Sequence, residues 1–171
     1  MYYPKAYVEF LAHFNGTKDF FECHEVLEEY WKETAPGQRD SVWVWMIQLA
    51  VSLYHYRRGN YKGADKLVSR LQNNWAAQQY ELETLGLELE ALSDILTQLD
   101  RALKERTPYQ NINLPIKDPG LILSVKDTCS EWQVPYNREK EPFDHYLTHK
   151  HKLRNKSGNN QEILHPENVY K

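Results

Sequence analysis

The stretch DFFECHEVLEEYWKE, Asp19 to Glu33, decides the reading of this chain. At about 100° per residue, Phe20, His24, Leu27, Glu28 and Trp31 fall within roughly 100° of arc, which is the apolar stripe of a helix. Glu22, Glu29 and Lys32 point elsewhere, toward expected solvent. Charged side chains normally leave such a stripe, yet His24 and Glu28 lie inside it. A carboxylate and an imidazole that face a core need partners, because an unpaired buried charge is expensive. The stretch therefore predicts a polar site on a core-facing helix.

Helix signals continue outward from it. Asp19 with Glu22 three residues on resembles a capping box, and Ala35-Pro36-Gly37 ends the helix. Upstream, Pro4 suits a first helical position and Gly16 a stop. Downstream, Asp40 or Ser41 caps a third helix that runs to Arg58 and stops at Gly59. Asn60 caps a fourth, expected as one piece from Tyr61 to Leu85 and ended near Gly86. A fifth carries Leu85, Leu89, Leu92, Leu96, Leu99 and Leu103 as one apolar seam, closed by Thr107-Pro108. Short connections favour packing within one bundle over a coiled coil between chains. No alternating strand pattern of useful length and no internal repeat is present.

The expected fold is all-α: a multihelical up-and-down bundle around an antiparallel helix hairpin. The bundle domain is placed at residues 1–108. A mostly irregular, Pro-rich extension, 109–171, is expected to pack on it. Pro115, Pro119, Pro135 and Pro142 break that extension into short pieces. Asp118-Pro119 starts a short helix carrying Leu121, Ile122 and Val125 toward the body, and Pro142 to Arg154 forms another. Asn155 to Lys171 is polar and expected to be mobile.

Composition narrows the function classes. The 171 residues are 41% hydrophobic and 13% aromatic, enough to fill a core. A net charge of −3 argues against general nucleic-acid binding, which needs a basic surface. The most apolar run, Val42 to Tyr56, is shorter than the ~20 residues that span a bilayer, so no membrane partner is expected. The N-terminus lacks the basic start and apolar run of a secretory signal. Cys23 and Cys129 are far apart and read as two reduced thiols. A cytoplasmic protein is the expectation.

The third helix gives the second its context. It is apolar on nearly every side, which marks a buried helix. Against that background Ser41, Gln48, Ser52 and His55 form one polar line, and the economical inference is that it faces His24 and Glu28. In a simple hairpin, His24 lies level with Gln48 or Leu49. His55 is then roughly 10 Å further along the axis at 1.5 Å per residue, which works against a shared metal. The sequence His24-Glu25-Val26-Leu27-Glu28 resembles half of a zinc-protease HExxH motif with Glu in place of the second His. It keeps His24 and Glu28 as metal ligands and Glu25 as a general base. A third ligand would come from His55, His13, or the group His145, His149 and His151. An ordinary (i, i+4) pair is the plainer explanation, so a divalent metal is not favoured. Arg57 and Arg58 read as solvated cations at a helix end, with an anion-binding corner at Asn60 as the lesser reading.

The run from Phe20 to Lys32, with Ile47-Gln48-Leu49-Ala50, Tyr54-His55, Arg58-Gly59-Asn60 and Gly63-Ala64, resembles the bacterial and archaeal domain-of-unknown-function family numbered 309. The resemblance covers Phe10 to Leu71. It implies an all-α, cytoplasmic protein and brings no reaction, substrate or cofactor. The family's polar signature falls on His24, Glu25, Glu28, Gln48 and His55. The leading functional expectation is a small binding or interaction module with a buried polar pocket formed by His24, Glu28, Gln48 and His55, taking a protein or a small molecule. The alternative is a metal-dependent or acid–base hydrolase with Glu25 catalytic. The Leu seam and exposed aromatics also fit a homodimer.

Overall fold

The computed structural model describes residues 2–138 and 149–150. The helix expected from Pro142 to Arg154, apart from His149 and Lys150, lies outside them, as do His145, His151 and the segment from Asn155 to Lys171. Seven α-helices follow one another among the described residues: α1 (Lys5–Ala12), α2 (Phe20–Thr34), α3 (Val42–Arg57), α4 (Tyr61–Asn73), α5 (Trp75–Thr84), α6 (Leu89–Lys104) and α7 (Pro119–Glu131). The fold is all-α, and no strand occurs among the described residues; Leu87 and Ile116 form a single isolated bridge. No helix of the described residues is long and apolar enough to cross a membrane.

Three of the expected helix starts are capped as the sequence suggests. Asp19 Oδ1 accepts from the Glu22 amide at 3.0 Å, Ser41 Oγ from Trp43 at 3.2 Å, and Asn60 Oδ1 from Gly63 at 3.0 Å. Each satisfies an amide that the first helical turn leaves without a backbone acceptor. Helix α3 is buried from Val44 to Tyr56 and forms the centre of the molecule. Helix α2 packs along it, while α4 covers it from another side and is backed by α6. Leu92, Leu96, Leu99 and Leu103 of the seam are all buried, against a body that includes Ala64, Leu67, Val68 and Leu71 of α4. The seam is therefore spent inside the chain.

Two expected features differ. The helix placed from Tyr61 to Leu85 is two, because Asn74 leaves the helical region (φ −98°, ψ 1°) and its side-chain Nδ2 donates to the Arg70 carbonyl at 3.0 Å. Trp75 then opens α5 with its ring 6.0 Å from that of Trp45. Gly16 is no helix stop. It sits inside a π-helical turn, His13–Thr17, and the left-handed residue that ends the turn is Lys18 (φ 60°). A Cβ at position 16 would lie 3.0 Å from Cys129 Sγ and 3.2 Å from the Pro135 carbonyl. That glycine is there for the close approach of α7.

The extension contains α7, capped by Asp118 Oδ1 on the Leu121 amide at 3.0 Å, with Leu121, Val125 and Cys129 buried. The connection before it is pinned by side chains from the π-turn. Asn15 donates to the Leu114 carbonyl at 3.1 Å and accepts from its amide at 2.8 Å. Lys18 Nζ donates to the Ile112 carbonyl at 2.8 Å and to Asn113 Oδ1 at 2.6 Å.

Candidate functional site

Helix α2 meets α3 in an antiparallel register that two ring pairs bracket. Tyr30 and Trp43 have centroids 5.2 Å apart near the turn, and Phe21 and Tyr54 lie 6.2 Å apart near the far end. Interpolating between them sets His24 level with Ala50, one to two residues beyond the position that a simple hairpin gives, and puts Gln48 between the levels of His24 and Glu28. His24 is 4% exposed and Glu28 8%, so the two polar members of the stripe are buried. Gln48, Ser52 and His55 of α3 are buried as well.

The imidazole closes on the carboxylate one turn on. His24 Nε2 and Glu28 Oε2 are in direct contact, and Glu28 Oε1 takes Lys32 Nζ at 2.5 Å. On the other side of the ring, Glu25 Oε1 lies 3.5 Å from His24 Nδ1. The contacts are ionic more than directional, since neither ring nitrogen has a partner with good hydrogen-bond geometry among the described residues. Burial by itself would push the His24 pKa down. The Glu25 and Glu28 carboxylates outweigh it and raise the value to about 9. Burial would raise Glu28, but His24 and then Lys32 bring it down to about 2. At neutral pH the site is an imidazolium between carboxylates, with Lys32 at its outer end.

The α3 line is spent differently. Ser41 is the cap already described, and Ser52 Oγ donates back to the Leu49 carbonyl at 2.7 Å. His55 Nδ1 lies 3.1 Å from Asn60 Nδ2, so His55 joins the start of α4. The structure thus brings His24, Glu25 and Glu28 together on one helix, with Gln48 at their level, and directs His55 to a neighbouring junction. His13 is also engaged elsewhere: Nδ1 meets Thr17 Oγ1 at 2.9 Å and the ring lies 4.5 Å from that of Trp132. Among the described residues no group of three or more His, Cys, Asp or Glu side chains is arranged to hold a metal. Arg57 is not a solvated cation. Its Nη1 donates to the Lys18 carbonyl at 2.7 Å and its guanidinium lies 4.6 Å from the Phe20 ring centre.

The sequence reading missed two participants. Lys32 belongs to the site, and its (i, i+4) spacing from Glu28 was the available signal. Lys150 does not belong to the pair but sits near it. Its ammonium bonds Asp19 Oδ2 at 2.7 Å and Glu22 Oε1 at 2.8 Å, 6.0 Å from the Phe21 ring. No local pattern marks that contact.

Three grooves lined by described residues lie away from His24. One of about 300 Å³ runs along α4, one of about 160 Å³ lies between Tyr56 and the 107–112 connection, and one of about 240 Å³ separates α1 from α2.

The model of the family described as "Domain of unknown function (DUF309)" matches residues 7–67, which hold α1 to α3 and most of α4. The chain is also similar to "Uncharacterized protein YpuF" of Bacillus subtilis (strain 168), 38% identical over 155 residues, covering 91% of this chain and 89% of that protein. No solved structure matches it.

Proposed function

From the premise that the chain belongs to the DUF309 family, we propose that it works as a small cytoplasmic binding module, with His24, Glu28 and Gln48 as the buried polar part of its site and His55 serving the α3–α4 junction instead. The observation that carries this reading is the closed ionic chain of His24, Glu28 and Lys32. An imidazolium has no lone pair to take a proton or bind a metal. A carboxylate with both oxygens engaged is a poor nucleophile and a poor base. What such a chain supplies is a fixed charge pattern and a rigid helix. Its outer members, Glu25 and Lys32, have side chains 43% and 56% exposed, where a protein or small-molecule partner can meet them. Two buried free thiols suit a reducing compartment.

The hydrolase reading asks for the opposite ionic state. His24 would have to be neutral to ligate a metal through Nε2, and Glu28 would have to leave both its partners. Glu25 would then serve as base. The pair opposes each of these steps.

An NMR titration of the His24 ring, combined with metal analysis and native mass spectrometry of the protein purified from cells, tests the reading. The expected result is an imidazole titrating near pH 9 and a copurifying partner or ligand without bound metal. A ring that titrates below neutrality, or stoichiometric zinc, iron or manganese lost in His24→Ala, would overturn it.

A further inference from the structure

We propose that the groove along α4 is a second binding site, independent of the His24–Glu28 pair, for a small molecule carrying a phosphate or diphosphate group. Its walls are Asn60, Lys62, Gly63, Lys66, Leu67 and Arg70, and it encloses about 300 Å³. Lys62, Lys66 and Arg70 follow one another at four-residue spacing, so successive cations advance by about one turn, or 6 Å, and rotate only ~40°. No carboxylate lines the groove.

The rest of the molecule makes that arrangement unusual. In a chain of net charge −3, Lys5, Lys32, Lys104, Lys117 and Lys150 each sit on a carboxylate. Among the described residues neither Lys62 nor Lys66 has an ion-pair partner. Asp65, the one acid on this helix, is not among the residues that line the groove. The start of α4 adds potential of the same sign at the groove's end, beside Asn60. Gly63 and the nearly buried Leu67 give the groove a short, partly apolar floor. Gly63 is also required there, because a Cβ would lie 2.6 Å from Asn60 Nδ2 and displace the cap.

Size sets the ligand class. Three cations over eight residues span about 12 Å, enough for one or two phosphate groups. A nucleic-acid footprint needs roughly 6–10 phosphate contacts and a basic protein surface. A volume near 300 Å³ lies at the small end of ligand pockets, which suits a phosphate ester of sugar size.

The test is a titration of the full chain with inorganic phosphate, inorganic pyrophosphate and ribose 5-phosphate, against sodium chloride at matched ionic strength, read by backbone amide NMR. Saturable shifts concentrated in residues 60–70, weakened about tenfold or more in Lys62→Glu/Lys66→Glu, support the site. Tighter binding of ribose 5-phosphate than of inorganic phosphate identifies an ester as the ligand; equal binding identifies the free anion. The milder Lys62→Gln/Lys66→Gln variant serves if the charge reversal unfolds. Shifts absent up to saturating probe, scattered over the surface, or unchanged in the variants overturn the proposal.

Discussion

Asn15 holds Leu114 by both backbone groups, donating to its carbonyl and accepting from its amide, so a side-chain amide takes the place of a neighbouring strand. Both residues are buried, and 99 positions separate them. Asn15→Ala would leave an amide and a carbonyl without partners in a dry interior. Each orphaned group costs about 1–3 kcal/mol, so a loss of about 2–6 kcal/mol is expected. Urea unfolding with an unchanged slope and a lower midpoint is the measurement. A loss under 0.5 kcal/mol, within the range of an ordinary surface change, would show that water replaces the amide.

The His24–Glu28 pair gives stability a pH window. The folded pKa of His24 is raised to about 9, so its contribution is complete below the ordinary histidine value of 6.5 and is lost as pH rises through 9. Glu28 is lowered to about 2, so its contribution is present above 4.5 and is lost as pH falls toward 2. Both shifts report one interaction and are not additive. The upper limb amounts to about 3 kcal/mol at most, since one pKa unit is ~1.4 kcal/mol. Unfolding free energies between pH 5 and pH 10 should fall on the alkaline side in the wild type and lose that limb in His24→Gln. An alkaline limb of equal size in both proteins would refute the assignment.

Local periodicity made much of the molecule legible. The stripe from Phe20 to Trp31, the apolar run of α3 and the Leu seam of α6 are all one-helix signals, and the caps at Asp19, Ser41 and Asn60 act within three residues. The pair itself was legible because it lies four residues apart on one face. What escaped depends on long-range meetings. Nothing beside Asn15 in the sequence marks its bonds to Leu114, 99 positions away. Nothing beside Lys18 marks the bonds of its ammonium to Ile112 and Asn113. Gly16 carries a packing role in the guise of a helix stop. The interruption at Asn74 falls on Asn73-Asn74, two weak helix formers whose pairing was the available local signal, and the meeting of Trp75 with Trp45 accompanies it. Lys32 was assigned to solvent because half of it is there.

Lys150 makes the longest-range polar contact of this region, 131 residues from Asp19. Its ammonium is nearly buried between Asp19 and Glu22, and their charges raise its pKa even though burial opposes this. Lys150→Met keeps the apolar stem and removes the charge, leaving two carboxylates close together at the start of α2. A loss of about 1–3 kcal/mol is expected, larger at pH 7 than at pH 4 where the acids begin to protonate. Thermal or urea unfolding at the two pH values measures it. Equal losses at both would mean that only the stem contributes.

Gly37 and Gly86 form a matched pair for separating backbone from packing effects. Both have left-handed φ angles, +77° and +82°. Nothing lies within 4 Å of a Cβ at position 37, whereas at position 86 it would meet Tyr3 Oη at 2.8 Å and Asp118 Cβ at 3.0 Å. The Gly86 carbonyl also accepts from the Lys117 amide at 2.7 Å, so the segment leading into α7 rests on this residue. Gly37→Ala should cost about 1 kcal/mol, the price of a left-handed alanine alone. Gly86→Ala should cost at least about 1–3 kcal/mol more, because Tyr3, whose hydroxyl bonds Asp118 at 2.9 Å, has to move. Chemical denaturation of the two variants side by side decides the matter: equal losses would mean that Tyr3 and Asp118 yield freely and that the close packing at position 86 carries no stability.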